Sequence, residues 1–219
     1  MADNTIEPFV FYTERRLVAL TGRKASNLEE LASHLAQVSG SCIFYHTHYL
    51  YLTHHFEKPR FYNEFANWAS HALQEERLAE RLAAIDLLAM TSIRELREAI
   101  GSVIQKHLES NRNGLRQCPP GNEFYFCEAK SFIMPTGQVA HDLAEFFETI
   151  SHVTNACLHF HFFEARLRLE RPTNDFSKWL ADLGETRLAQ KIDRVNPYAM
   201  TLEELKRAIV ELGRKYRPK

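Results

Sequence analysis

The stretch CLHFHFFEARLRL, residues 157–169, carries the densest set of reactive side chains in the chain. His159 and His161 stand one residue apart, and Glu164, Arg166 and Arg168 follow inside an otherwise apolar run. On a strand, two histidines at i and i+2 point the same way and could clasp one metal ion. On a helix, His161, Glu164 and Arg168 fall at i, i+3 and i+7, placing an imidazole, a carboxylate and a guanidinium on one face. A carboxylate beside an imidazole can set up general acid or base chemistry, which makes His161 and Glu164 the candidate catalytic pair. An ordinary Glu164–Arg168 ion pair flanking a buried stripe accounts for the same residues.

A second His-x-His, His46 and His48, invites a comparison of the chain with itself. Phe9, Phe11, Thr21 and Gly22 match Phe124, Phe126, Thr136 and Gly137 at an offset of 115, and that offset also carries Cys42 onto Cys157 and His46 onto His161. Asn63 to Trp68 then matches Asn174 to Trp179 at 111, and Ala89-Met90-Thr91 matches Ala199-Met200-Thr201 at 110. The shrinking offset leaves the first stretch about six residues longer, mostly around HHFEKPRFY. The chain therefore reads as an internal tandem duplication, with a first repeat at 8–108, a linker loop at 109–122 marked by Asn-Gly and Pro-Pro-Gly, and a second repeat at 123–216. Shared faces of such copies are expected to pack as one pseudo-two-fold body.

The same register weakens the metal reading. His48 falls on Phe163 and His159 on Phe44, so the two His-x-His motifs do not superpose, and neither a metal nor another cofactor is expected. The histidine common to both stretches, His46 or His161, is either a hydrogen-bonded core residue or part of a ligand pocket. His141 follows Thr136-Gly137 at an expected turn into a helix, where backbone N–H groups could hold an anion, although helix capping explains it equally. With Arg166, Arg168 and Asp175 it makes a candidate ligand-binding set confined to the second repeat. Trp68 and Trp179 read as core anchors, and His54-His55, in the extra residues, as solvent-exposed.

Placing these residues requires elements. Each repeat opens with Phe-x-Phe and a second apolar run ending at Thr-Gly, which suggests one or two β-strands closed by a turn. Leu28, Leu31, Leu35 and Val38 then fall at helical spacing, as do Leu143, Phe146, Ile150 and Val153, with Ser26 and Glu29 resembling a capping box. Residues 42–56 and 157–169 suit either a strand or a buried helix; the 3.6 period of Cys157, Phe160, Glu164 and Leu167 favours helix. Asn63 and Asn174 are expected N-caps, and Ser92-x-x-Glu95 and Thr201-x-x-Glu204 capping boxes. The fold class is mainly α with short β elements, an α+β arrangement.

Thr-Gly-x-x-Ala-His-x-Leu, His-Phe-Phe-Glu-Ala-Arg-Leu-Arg-Leu, Asn-Asp-Phe-Ser-x-Trp-Leu and Asn-Pro-Tyr-x-Met-Thr-Leu-Glu-Glu-Leu resemble an uncharacterised prokaryotic family, domain of unknown function 5752, over nearly the whole chain. The resemblance implies a prokaryotic, soluble, duplicated protein and brings no catalytic residues.

Composition narrows the rest. With 27 Lys plus Arg against 28 Asp plus Glu, the 219-residue chain has no basic excess, so nucleic acid is not an expected partner. The N-terminus lacks a basic segment followed by an apolar stretch, and no run of about 18 apolar residues occurs, so a cytoplasmic protein without membrane contact is expected. Four cysteines without C-x-x-C spacing point to reduced thiols. No Walker loop, nucleophile elbow or G-x-G-x-x-G is present. The favoured reading is a non-enzymatic ligand-binding or regulatory module that takes a small anionic ligand or a protein partner. A metal-assisted or His/Glu acid–base enzyme and a protein-interaction scaffold are the alternatives.

Overall fold

A computed structural model describes residues 7–49, 60–87, 89–111, 116–169 and 173–216, the side chains of 168, 169 and 198 excepted. The chain is mainly helical, with one two-stranded antiparallel ribbon made of β1 (Phe9–Ala25) and β2 (Phe124–Ala140). These strands are longer than the sequence suggests, because Thr-Gly does not end them. Gly22 and Gly137 sit at φ +78° and +80°, a region open to glycine at no steric cost, and each strand continues past its glycine. Thr21 Oγ1 donates to the Phe126 carbonyl at 2.8 Å and accepts the Arg23 N–H at 3.2 Å. Thr136 Oγ1 likewise donates to the Phe11 carbonyl at 2.8 Å and accepts the Gln138 N–H at 3.1 Å.

Among the described residues, the first compact unit lies within Arg16–His54 and Pro59–Ser131, and the second within Met1–Arg15 and Phe132–Lys219. These bounds differ from the sequence stretches 8–108 and 123–216, since the head of each strand belongs with the helices of the other stretch. The first unit holds α1 (Leu28–Gln37), α2 (Gly40–Phe44) continued by a π-helical turn (Tyr45–Tyr49), α3 (Glu64–His71), α4 (Glu76–Ala83) and α5 (Ile93–Ser110). The second holds α6 (Leu143–His152), α7 (Asn155–His159), a π-helical turn (Phe160–Glu164), α8 (Ala165–Leu169), α9 (Asp175–Asp182), α10 (Thr186–Asp193) and α11 (Leu202–Lys215). Residues 42–49 and 157–169 are therefore helical, while residues 50–56, with His54 and His55, lie outside the described residues.

The helix starts follow from their caps. Asn63 and Asn174 accept the N–H of Ala66 and Ser177, and Thr201 with Glu204 forms a complete capping box. The cap of α1 is Asn27 rather than Ser26, because Asn27 is the extended residue whose side chain reaches the Glu30 N–H, while the Ser26 N–H donates to the Glu30 carboxylate. Asp142 and Glu145 repeat this arrangement at α6, with the His141 N–H on Glu145.

Each unit closes on an aromatic nest. In the second, Phe9 and Phe11 of β1 meet Phe146, and Phe9 also meets Phe176 and Trp179; in the first, Phe124 of β2 meets Phe65 and Trp68, with Phe126 packed on Phe124. Burying each such ring contributes on the order of 2 kcal/mol, so the strand heads are integral to these cores. Both tryptophans are core anchors whose Nε1–H is spent on a carbonyl, Trp68 on Asn122 at 2.7 Å and Trp179 on Glu7 at 2.9 Å. Within the 109–122 stretch, α5 runs to Ser110, and buried Cys118 donates its N–H to the Ser26 carbonyl at 2.8 Å. No helix among the described residues is long and apolar enough to cross a membrane.

Candidate functional site

The two shared histidines occupy equivalent settings. In the second unit, His161 lies in the π-helical turn, 3% exposed, with its ring among Phe9, Phe11 and Phe176. Its Nε2 accepts the backbone N–H of Tyr12 at 2.8 Å, and its Nδ1 is 2.8 Å from Asp175 Oδ2. In the first unit, His46 Nε2 accepts the Cys127 N–H at 2.9 Å and its Nδ1 bonds Glu64. A nitrogen that accepts an N–H carries no proton, so in each ring the proton sits on Nδ1 and is donated to the carboxylate. Glu64 and Asp175 are the first residues of α3 and α9, where the helix dipole favours negative charge. Both ring nitrogens of His161 are thus engaged in holding a strand against a helix start.

The members of each His-x-His pair serve different partners. His48 stacks on Phe44 at 5.2 Å and 6°, and its Nδ1 lies 2.9 Å from Thr47 Oγ1. His159 stacks on Phe163 at 5.0 Å and 13°, and its Nδ1 lies 3.3 Å from Glu14 Oε1. That second contact belongs to a group of three: donor atoms of Glu14, His159 and Glu164 all lie within 4.8 Å of one another. The side chains of Glu14 and His159 are 1% and 0% exposed, and Glu164 is half-buried.

Local backbone explains this convergence. Along β1 the inward positions run Phe9, Phe11 and then Glu14, so the alternation slips by one residue and turns a glutamate into the interior. On an α-helix, side chains five residues apart diverge by roughly 140°. Between His159 and Glu164 the backbone is π-helical, and the wider turn returns both side chains to one group. The 3.6 period used to pair His161 with Glu164 fails there: Glu164 joins Glu14 and His159, and His161 is held by Tyr12 and Asp175.

The first unit has the same backbone and different chemistry. At the positions 115 residues away stand Ala129, Phe44 and Tyr49, with the Arg16 guanidinium 4.3 Å and 5.2 Å from the two ring centres. Among the described residues, the polar trio is found in the second unit. Among the remaining candidates, His141 is on the surface, its ring Nδ1 2.9 Å from Glu145, whose carboxyl is held below the usual range chiefly by the His141 N–H. That carboxylate fills the place proposed for an anion. Arg166 is buried in α8, and the side chain of Arg168 lies outside the described residues. Glu14 is the residue sequence reasoning missed, and His159, raised as half of a His-x-His pair, was set aside with that motif; the signal for both is that Glu14, His159 and Glu164 map onto Ala129, Phe44 and Tyr49. In the first unit, Glu64, Trp68, His71 and Tyr125 line an open recess of about 410 Å³.

No curated protein matches the chain. The solved structure of OrfY from Thermoproteus tenax is similar, with a TM-score of 0.81 and 26% identity over 95% of each chain. The model of the family described as "Family of unknown function (DUF5752)" matches residues 6–214, and the chain belongs to that family.

Proposed function

We propose that the protein is a non-enzymatic binding or regulatory module whose binding centre is the trio of buried Glu14 and His159 with half-buried Glu164. The observation that carries this reading is the near-complete burial of Glu14 and His159 in a group of three donors. A reacting substrate needs access and release at every turnover, whereas a bound group that stabilises a fold can stay in place once it has entered. The acid–base enzyme is the weaker reading, because its candidate base, His161, has both ring nitrogens spent on Tyr12 and Asp175.

An origin by duplication, followed by divergence of one copy, fits this picture. It is supported by hydrogen bonds that recur at one offset: Thr21 and Thr136 to a strand carbonyl, His46 and His161 to a strand N–H. The shared residues build the scaffold and the unshared ones build the centre. A cytoplasmic setting is supported by four free cysteines.

A thermal-shift screen of the full chain against phosphorylated sugars, nucleotides, carboxylates and divalent cations tests the reading. A ligand at a hundred times its Kd stabilises by about 2.7 kcal/mol, so at least one class is expected to raise the Tm. The shift is expected to vanish in Glu164→Gln. No shift with any class, or one indifferent to that substitution, would count against a binding module centred here.

A further inference from the structure

We infer that Glu14, His159 and Glu164 hold one divalent first-row transition-metal ion, of the Mn²⁺, Fe²⁺ or Zn²⁺ kind. This rests on reading the trio as the binding centre, and it names what binds there.

Geometry comes first. Metal–ligand bonds of about 2.0–2.2 Å place neighbouring donors roughly 3.0–3.5 Å apart. His159 Nδ1 and Glu14 Oε1 are 3.3 Å apart, and every donor pair in the trio lies within 4.8 Å, so small side-chain movements bring all three onto one ion. The ring of His159 is already oriented by its stack on Phe163, which fixes the imidazole plane.

Donor chemistry then selects the ion. Mg²⁺ and Ca²⁺ take all-oxygen shells, and the soft metals favour thiolate; one imidazole with two carboxylates suits the borderline divalent ions. The first unit serves as an internal control. There the corresponding Ala129, Phe44 and Tyr49 supply no carboxylate or imidazole on the same π-helical backbone, so the turn alone does not make the site.

The test uses the full chain. After chelator treatment, calorimetric titration with Mn²⁺, Zn²⁺ and Ca²⁺ separately is expected to give one Mn²⁺ or Zn²⁺ per chain, with Ca²⁺ at least tenfold weaker. Glu14→Gln, and His159→Phe, which copies Phe44, are expected to weaken binding at least tenfold while circular dichroism stays that of the wild type. Should either variant misfold, Glu164→Gln at the half-buried position replaces it. Wild type without stoichiometric binding, or binding unchanged in folded variants, would overturn the inference. Failure of every metal alongside stabilisation by another ligand class, lost in Glu164→Gln, sinks the metal but leaves the module standing; failure of all ligands sinks both.

Discussion

His46 and His161 illustrate how little a residue's identity says about its use. Both offered metal or acid–base chemistry on paper, and both act as two-sided clasps between a strand N–H and a carboxylate at a helix start. Nitrogen-15 spectra of the native protein should therefore show Nε2 as the unprotonated nitrogen in both rings; a proton on Nε2 would refute the arrangement. His161→Ala removes the acceptor of the Tyr12 N–H and a ring from the aromatic nest, and is expected to cost about 3 kcal/mol in denaturant unfolding. Cysteines report burial at the same scale. Burial pushes the Cys42 and Cys157 thiols from 9.0 up to about 12, so at pH 8 about one part in ten thousand is thiolate. Half-buried Cys127 should be alkylated first, and Cys42 and Cys157 only on unfolding. Because folding raises these two pKa values, their contribution to stability is complete below pH 9 and is lost as pH climbs toward 12, so unfolding should become easier across that window. Self-comparison made His161 legible as shared, and for the same reason it set His159 aside: a residue that only one stretch carries is removed by any search for what both carry.

At the scale of elements, caps and apolar periodicity were readable, since Asn63, Asn174 and Thr201 each announce a helix by bonding an N–H that a helix start leaves open. Two backbone irregularities were not. Thr-Gly looks like a turn, because glycine at positive φ usually makes one, yet here a threonine hydroxyl reaches the partner strand and carries the chain onward. The π-helical turns leave no mark in a 3.6 period, and they decide which side chains meet around Glu164. Gly22→Ala and Gly137→Ala test the first point. A Cβ would meet nothing within 4 Å at either position, so the expected loss of about 1 kcal/mol each is conformational. Asparagine should be tolerated better than alanine at both, and equal stability of the wild type and both variants at a position would mean that positive φ is not required there.

For the whole molecule, the composition of the two units is the feature least visible in sequence. Patterns in 8–108 and 123–216 suggest two repeats packed as one body, but nothing local says that Phe9 and Phe11 complete the nest around Phe146 and Trp179, while Phe124 and Phe126 complete the one around Phe65 and Trp68. Such long-range pairing is set by the ribbon, where Thr21 bonds Phe126 and Thr136 bonds Phe11. Separate fragments 1–111 and 116–219 should consequently show no cooperative unfolding as monomers, and mixing them should restore it; a fragment that folds alone as a stable monomer would contradict this composition. The binding centre depends on the same pairing, since Glu14 arrives on β1 and His159 and Glu164 on the helices of the second unit. Its most direct test is an anomalous difference map from crystals of the full chain soaked in Mn²⁺ or Zn²⁺. The expected result is one peak about 2.0–2.2 Å from donor atoms of Glu14, His159 and Glu164; a map without that peak, or with metal bound only elsewhere, would contradict the assignment.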